Sequence, residues 1–166
     1  MSSPPLKRCP GLAAIVAVLS LAVVAPAASA AVRIVHTLPG WREAASFKRI
    51  SEYFTGRENT GGEIVQRTHP DQRAGYYFLV RIANDGPPVA VRIVLQVVAP
   101  GSVDPKTYTF NVALPERTSV LDLGLTGADW PGPRVNAVAW KLELTDEAGQ
   151  PLASGKSYLW DKPAGS

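Results

Sequence analysis

The residues best suited to acid–base or metal chemistry in this chain are two histidines, His36 and His69, which lie 33 positions apart with no second histidine close to either. A catalytic zinc needs about three protein ligands and an open position. His69 has one adjacent carboxylate to offer, in Arg67-Thr68-His69-Pro70-Asp71-Gln72-Arg73. That set predicts a polar loop entering a strand, and no metal site. No serine lies in a Gly-x-Ser-x-Gly elbow. A triad gathered from distant residues would have only these two histidines as its base. Asp122, Asp129, Glu143, Asp146 and Asp161 are the pool for a two-carboxylate mechanism. Glu143 falls on the wetter face of a predicted strand and Asp146 in a turn, so solvated surface is the reading. Gly61-Gly62 and Gly124-Leu125-Thr126-Gly127 lack the lysine and following helix of a phosphate loop. The sequence therefore predicts no catalytic residue, no cofactor and a non-enzymatic protein.

Aromatic side chains are the remaining handle. Trp130 sits in Gly127-Ala128-Asp129-Trp130-Pro131-Gly132-Pro133, a loop stiffened by two prolines. Together with Asp129, Arg134, Trp41 and Tyr77 it is a candidate contact for a ligand or partner. A flat ring beside a carboxylate could stack on a sugar. In the competing reading Trp130 caps one end of the fold and Trp160 packs the last strand, because large aromatics dominate burial. Arg81, Arg92 and Lys141 would form a basic row matched by Glu143 if their strands share one sheet. A solvated face with weak ion pairs explains them equally well.

The elements that position these residues begin after a leader. Lys7 and Arg8 precede an apolar run from Leu12 to Val24, followed by Ala28-Ser29-Ala30. This order of positive charge, short apolar segment and small-residue site reads as a secretory signal peptide over residues 1–30, cleaved between Ala30 and Ala31. The rival is an uncleaved anchor from Gly11 to Val32. Pro26 and the Ala-Ser-rich end oppose it, and the 13 residues Leu12–Val24 would cover only about 20 Å as a helix. The expected destination is periplasmic or extracellular, with no stable membrane span after cleavage.

Lys7 and Arg8 are two of 17 basic residues, so 15 remain against 14 acidic ones and the mature balance is +1. Charge so even gives no footprint for nucleic acid. Cys9, the single cysteine, lies in the leader. The mature chain is thus without disulfides, thiolate chemistry or cysteine-ligated metal, and packing must hold it.

Residues 31–62 read as an N-terminal extension. Val32–Thr37 is a short strand stopped by Pro39-Gly40. Ala44, Phe47, Ile50 and Phe54 trace one face of a helix ended by Gly56. From Glu63 to Asp161 the pattern is strands. Tyr76, Phe78, Val80 and Ile82 alternate with Tyr77, Leu79 and Arg81, and similar alternation runs through Val89–Val98, Thr107–Leu114 and Val138–Thr145. Period-two patterning gives each strand one dry face. With weaker strands at Glu63–Thr68, Ser119–Leu125 and Leu152–Trp160, this predicts an all-β fold, an antiparallel sandwich of about seven strands with a short N-terminal helix. Val89–Ala99 is the most apolar stretch and is expected to be central. Residues 162–166 read as a disordered tail.

The segment Trp140-Lys141-Leu142-Glu143-Leu144-Thr145-Asp146-Glu147-Ala148-Gly149-Gln150-Pro151-Leu152 resembles the last hairpin of bacterial extracytoplasmic immunoglobulin-like or fibronectin-III-like modules. That resemblance implies an immunoglobulin-like sandwich over residues 63–161, without the antibody cysteine pair and with Trp140 on a late strand. It implies no activity. The expected role is binding, assembly or scaffolding at the cell envelope or surface, with a protein or glycan partner contacted through Ala128–Arg134. Carbohydrate binding or processing through exposed aromatics, and strand pairing in the manner of a chaperone or pilin subunit, are the alternatives.

Overall fold

A computed structural model describes residues 31–161. The expected leader, with Ala30, and the expected tail at 162–166 lie outside the described residues. The described residues form eight strands: β1 Val32–Arg42, β2 Ile64–Arg67, β3 Gly75–Asn84, β4 Val89–Val98, β5 Lys106–Leu114, β6 Thr118–Thr126, β7 Ala139–Thr145 and β8 Pro151–Lys156. They form two four-stranded sheets, β1-β3-β6-β2 (sheet A) and β5-β4-β7-β8 (sheet B). All pairings are antiparallel except β2 with β6, which is parallel.

The alternating apolar positions meet between the sheets. Phe78, Val80, Leu121 and Leu123 from sheet A and Ile93, Leu95, Leu142 and Leu144 from sheet B are fully buried in one cluster. β4 lies between β5 and β7, the central place expected from its composition. The β7–β8 hairpin turns at Asp146, whose carboxylate accepts the Gln150 N–H at 2.8 Å, with Gly149 at φ +80°. β8 ends at Lys156, short of the expected Trp160, where a turn begins and Trp160 N–H reaches the Ser157 carbonyl.

Three expectations need correction. The sandwich begins at Val32, not Glu63, because β1 is an 11-residue edge strand paired along β3. It runs through Pro39-Gly40, which an edge tolerates because proline's missing N–H need not face a partner. A bulge between Ile34 and His36 shifts the inward phase from Val32 and Ile34 to Thr37, Pro39 and Trp41. The continuous alternation that would have revealed a long strand is thereby broken. Second, the expected helix is two pieces, a 3₁₀ turn Ala44–Phe47 and an α-helix, α1, Ile50–Thr55, separated by extended backbone at Lys48 and Arg49. Of the expected apolar face only Phe47 is buried, while Ile50 and Phe54 are exposed. Gly56 does end α1, at φ +65° with its N–H on the Glu52 carbonyl. Third, Arg81 belongs to sheet A and Arg92 and Lys141 to sheet B, so no basic row forms. Lys141 pairs with Glu143 at 2.8 Å.

Leu95→Ala is expected to lower the unfolding free energy by about 2–5 kcal/mol, read from urea denaturation. Arg92→Ala, on the exposed side of the same strand, is expected to change it by less than about 0.5 kcal/mol.

Candidate functional site

A sheet in a two-layer sandwich has an outer face, and in sheet A that face carries more than solvated polar residues. Register places Gly40, Tyr77, Gly124 and Arg67 in one row across it, with Leu38, Leu79, Asp122 and Val65 in the next. The Tyr77 ring lies over the backbone of Gly124, so near that a Cβ there would collide with it. Tyr77 is 1% exposed although it points away from the main core.

Residues 43–63 cover this row. Phe47 sets its ring 4.7 Å from that of Tyr77. Arg42 and Arg67 place their guanidinium groups 4.4 and 5.0 Å from the Phe47 centroid, a favourable cation–π arrangement when desolvated. The Arg67 side chain is 7% exposed. It donates two hydrogen bonds to the Glu58 carboxylate (2.9 and 2.5 Å) and one from Nε to the Tyr77 hydroxyl (2.8 Å). That hydroxyl donates onward to the Arg73 carbonyl at 2.7 Å. Arg73 in turn holds Glu52 of α1 at 2.7 Å. The arginines hold both carboxyl groups below the usual carboxylate range: hydrogen bonding from Arg73 does so for Glu52, and from Arg67 for Glu58.

Asp122 sits beneath this layer with no exposed side-chain surface. Arg42 donates to its Oδ2 at 2.8 Å, and Oδ1 has no partner among the described residues. Burial raises its pKa in spite of the opposing Arg42 charge.

The consequence for α1 is an inverted helix. Ser51 and Glu52 face inward, Ser51 accepting a hydrogen bond from Asn59 Nδ2 at 2.8 Å and Glu52 bound to Arg73. Ile50, Tyr53 and Phe54, spaced to share one face, stand 77%, 79% and 85% exposed. Surface helices ordinarily hide such a stripe. A clustered apolar patch on a surface marks an interaction site more often than scattered single residues do.

The residues expected from sequence are distributed differently. Trp130 is buried, stacked on Tyr76 at 4.3 Å, with its indole N–H donating to the Val135 carbonyl at 3.0 Å. It has no free face for a sugar, so the Ala128–Arg134 loop tucks its ring into the end of the sandwich. Tyr77 is likewise covered, by Phe47. Trp41 lies half-buried on the inner face of sheet A, its N–H donating to Glu43 at 2.7 Å. It and Tyr77 therefore lie on opposite faces and share no surface. Arg134 is exposed. Asp129 meets His69 at 3.2 Å, where neither Asp71 nor another histidine contributes. Among the described residues no group of three His, Cys, Asp or Glu side chains could hold a metal ion. Thr68, Thr126 and the His69 backbone lock the adjoining loop through Thr126 Oγ1, which accepts from His69 N–H at 2.9 Å and donates to the His69 carbonyl at 3.1 Å.

Sequence reasoning missed Ile50, Tyr53 and Phe54 as surface residues, and Arg67, Glu58, Arg73 and Glu52 as their anchor. The available signal was that Glu52 and Ser51 share the helix with an apolar face. Only knowledge of what lies beneath could say which side turns outward. Among the described residues no helix is long and apolar enough to cross a membrane. Comparison with protein-family models, curated proteins and solved structures gives no match.

Depressed folded-state pKa values mean that the Glu52 and Glu58 pairs stabilise the protein above the carboxylate range, and that this is lost as pH falls through it. Raised Asp122 has the opposite sign: its contribution is fully present below the ordinary aspartate range and is lost as pH rises through its folded-state pKa. Glu58→Gln is expected to lower stability at neutral pH by roughly 1–3 kcal/mol and to flatten the acid limb of the pH–stability curve. Asp122→Asn is expected to leave neutral stability unchanged or higher. Denaturant titrations across acidic and neutral pH check both.

Proposed function

We propose that this is an exported, non-enzymatic β-sandwich module, similar to the immunoglobulin-like modules of bacterial envelopes, that works by binding and assembly. Its contact surface is α1, in place of the Ala128–Arg134 loop. The observation that carries this reading is the outward stripe Ile50–Tyr53–Phe54 on a helix pinned by arginine–carboxylate pairs. Holding three large apolar side chains in water is unfavourable by itself, and the helix would bury them if it simply rolled over. Glu52 on Arg73 and Glu58 on Arg67 oppose that roll, which is what a preordered contact surface requires. Export is supported by the leader pattern. A glycan reading built on Trp130 or Trp41 loses Trp130, whose ring is covered, and keeps only Trp41, half-buried with its indole N–H on Glu43.

Cells expressing the full-length sequence are expected to yield an exported product whose N-terminus is Ala31. Tyr53→Ser with Phe54→Ser is expected to abolish its association with the envelope fraction while the thermal midpoint stays within a few degrees. Association that survives this double substitution would refute α1 as the contact surface, and a cytoplasmic, unprocessed chain would refute export.

A further inference from the structure

The outward side of α1 has a charge as well as an apolar character. Both acidic residues nearest the stripe are neutralised by arginines, Glu52 by Arg73 and Glu58 by Arg67. Glu43 accepts the Trp41 indole N–H. The basic residues flanking the helix do the reverse. Lys48 and Arg57 are exposed and make no ion pair among the described residues, and Arg49, which donates to the Thr60 carbonyl at 3.2 Å, has Glu63 at 3.9 Å. What faces solvent is therefore an isoleucine, a tyrosine and a phenylalanine flanked in the chain by exposed cations, while the two nearest carboxylates are each paired with an arginine.

We infer that α1 docks the protein on an anionic bilayer surface, with Ile50, Tyr53 and Phe54 entering the headgroup boundary and Lys48 and Arg57 against lipid phosphates. The inference rests on the reading of α1 as the contact surface and names what it contacts. Size favours a bilayer over a protein partner. Ordinary protein interfaces cover about 800 Å² on each side, far more than three side chains of a six-residue helix provide. Interfacial anchoring needs only a few apolar side chains and nearby cations. Tyrosine is suited to the boundary because its ring is apolar and its hydroxyl wet. A free helix this short would have to order on binding. Here the arginine layer has ordered it beforehand.

The test is vesicle flotation with protein expressed from the full-length sequence, wild type and variants sharing the same N-terminus. Vesicles of phosphatidylcholine with and without phosphatidylglycerol are the probes. Wild type is expected to float with the anionic vesicles, and Tyr53→Ser with Phe54→Ser to weaken this by about tenfold or more. Lys48→Gln and Arg57→Gln are each expected to weaken it roughly fivefold, and added salt to act in the same direction. Equal flotation of wild type and variants, equal binding to neutral vesicles, or no flotation overturns the inference. So does a wild type that self-associates through α1 without binding lipid, which would make a second copy the occupant. If flotation fails while envelope association still depends on Tyr53 and Phe54, the contact surface stands and its partner is a protein. If envelope association is also indifferent to them, both readings fall.

Discussion

The Arg67 guanidinium is enclosed on the outer face of sheet A, where an unpaired charge would be untenable. A desolvated guanidinium must have its N–H groups met and its charge balanced. Glu58 supplies the balancing carboxylate, the Tyr77 hydroxyl takes Nε–H, and the Phe47 ring faces the cation. Two of these three partners, Phe47 and Glu58, come from the segment that bridges β1 and β2. Satisfying one arginine thus fixes both ends of that segment on the sheet. α1 lies between those fixed points, and Glu52 on Arg73 sets its rotation. The exposed stripe follows from a charge constraint beneath it.

Tyr77 shows how the sheet accommodates this layer. A large ring on the outer face must lie down if a second segment is to cross it, and glycine at 124, its cross-strand neighbour, leaves the room. Asp122 pays the electrostatic cost nearby, buried with one oxygen unpartnered. The layer is therefore mixed in its energetics: the Glu58–Arg67 and Glu52–Arg73 pairs hold the segment down, while Asp122 works against the folded state at neutral pH. At the loop end the Trp130 ring and the Thr68–Thr126 hydroxyl contacts serve closure of the sandwich, which leaves His69 and Asp129 as an isolated pair.

What the sequence made legible was the part governed by one rule applied locally. Alternation placed Phe78, Val80, Ile93, Leu95, Leu142 and Leu144 inside, because each strand needs a dry face whatever its neighbours are. β1 was hidden by its bulge and by Pro39, both permissible only because it is an edge. The parallel β2–β6 pairing was hidden because alternation carries no information on strand direction. The Ala44–Phe54 spacing fits one face of a continuous helix, which the chain does not form. Extended backbone at Lys48 and Arg49 breaks that continuity and separates the buried Phe47 from the exposed Ile50 and Phe54. The outer layer was illegible for a different reason. Tyr77 falls on the side alternation assigns to water, and its cover comes from Phe47, 30 positions earlier in the chain. The candidate site therefore had to be built from register and contacts, whereas the core did not.

Hydrogen–deuterium exchange across residues 43–63, compared between wild type and Phe47→Ala, tests most directly whether this segment is pinned by the layer beneath it. The account predicts that wild type protects the Glu52 and Gly56 amides of α1. Phe47→Ala should release the whole segment while β3, β4 and β6 stay protected, as expected for a locally opening unit on an intact core. Free exchange of α1 in the wild type, or loss of protection in segment and strands together in the variant, would contradict it.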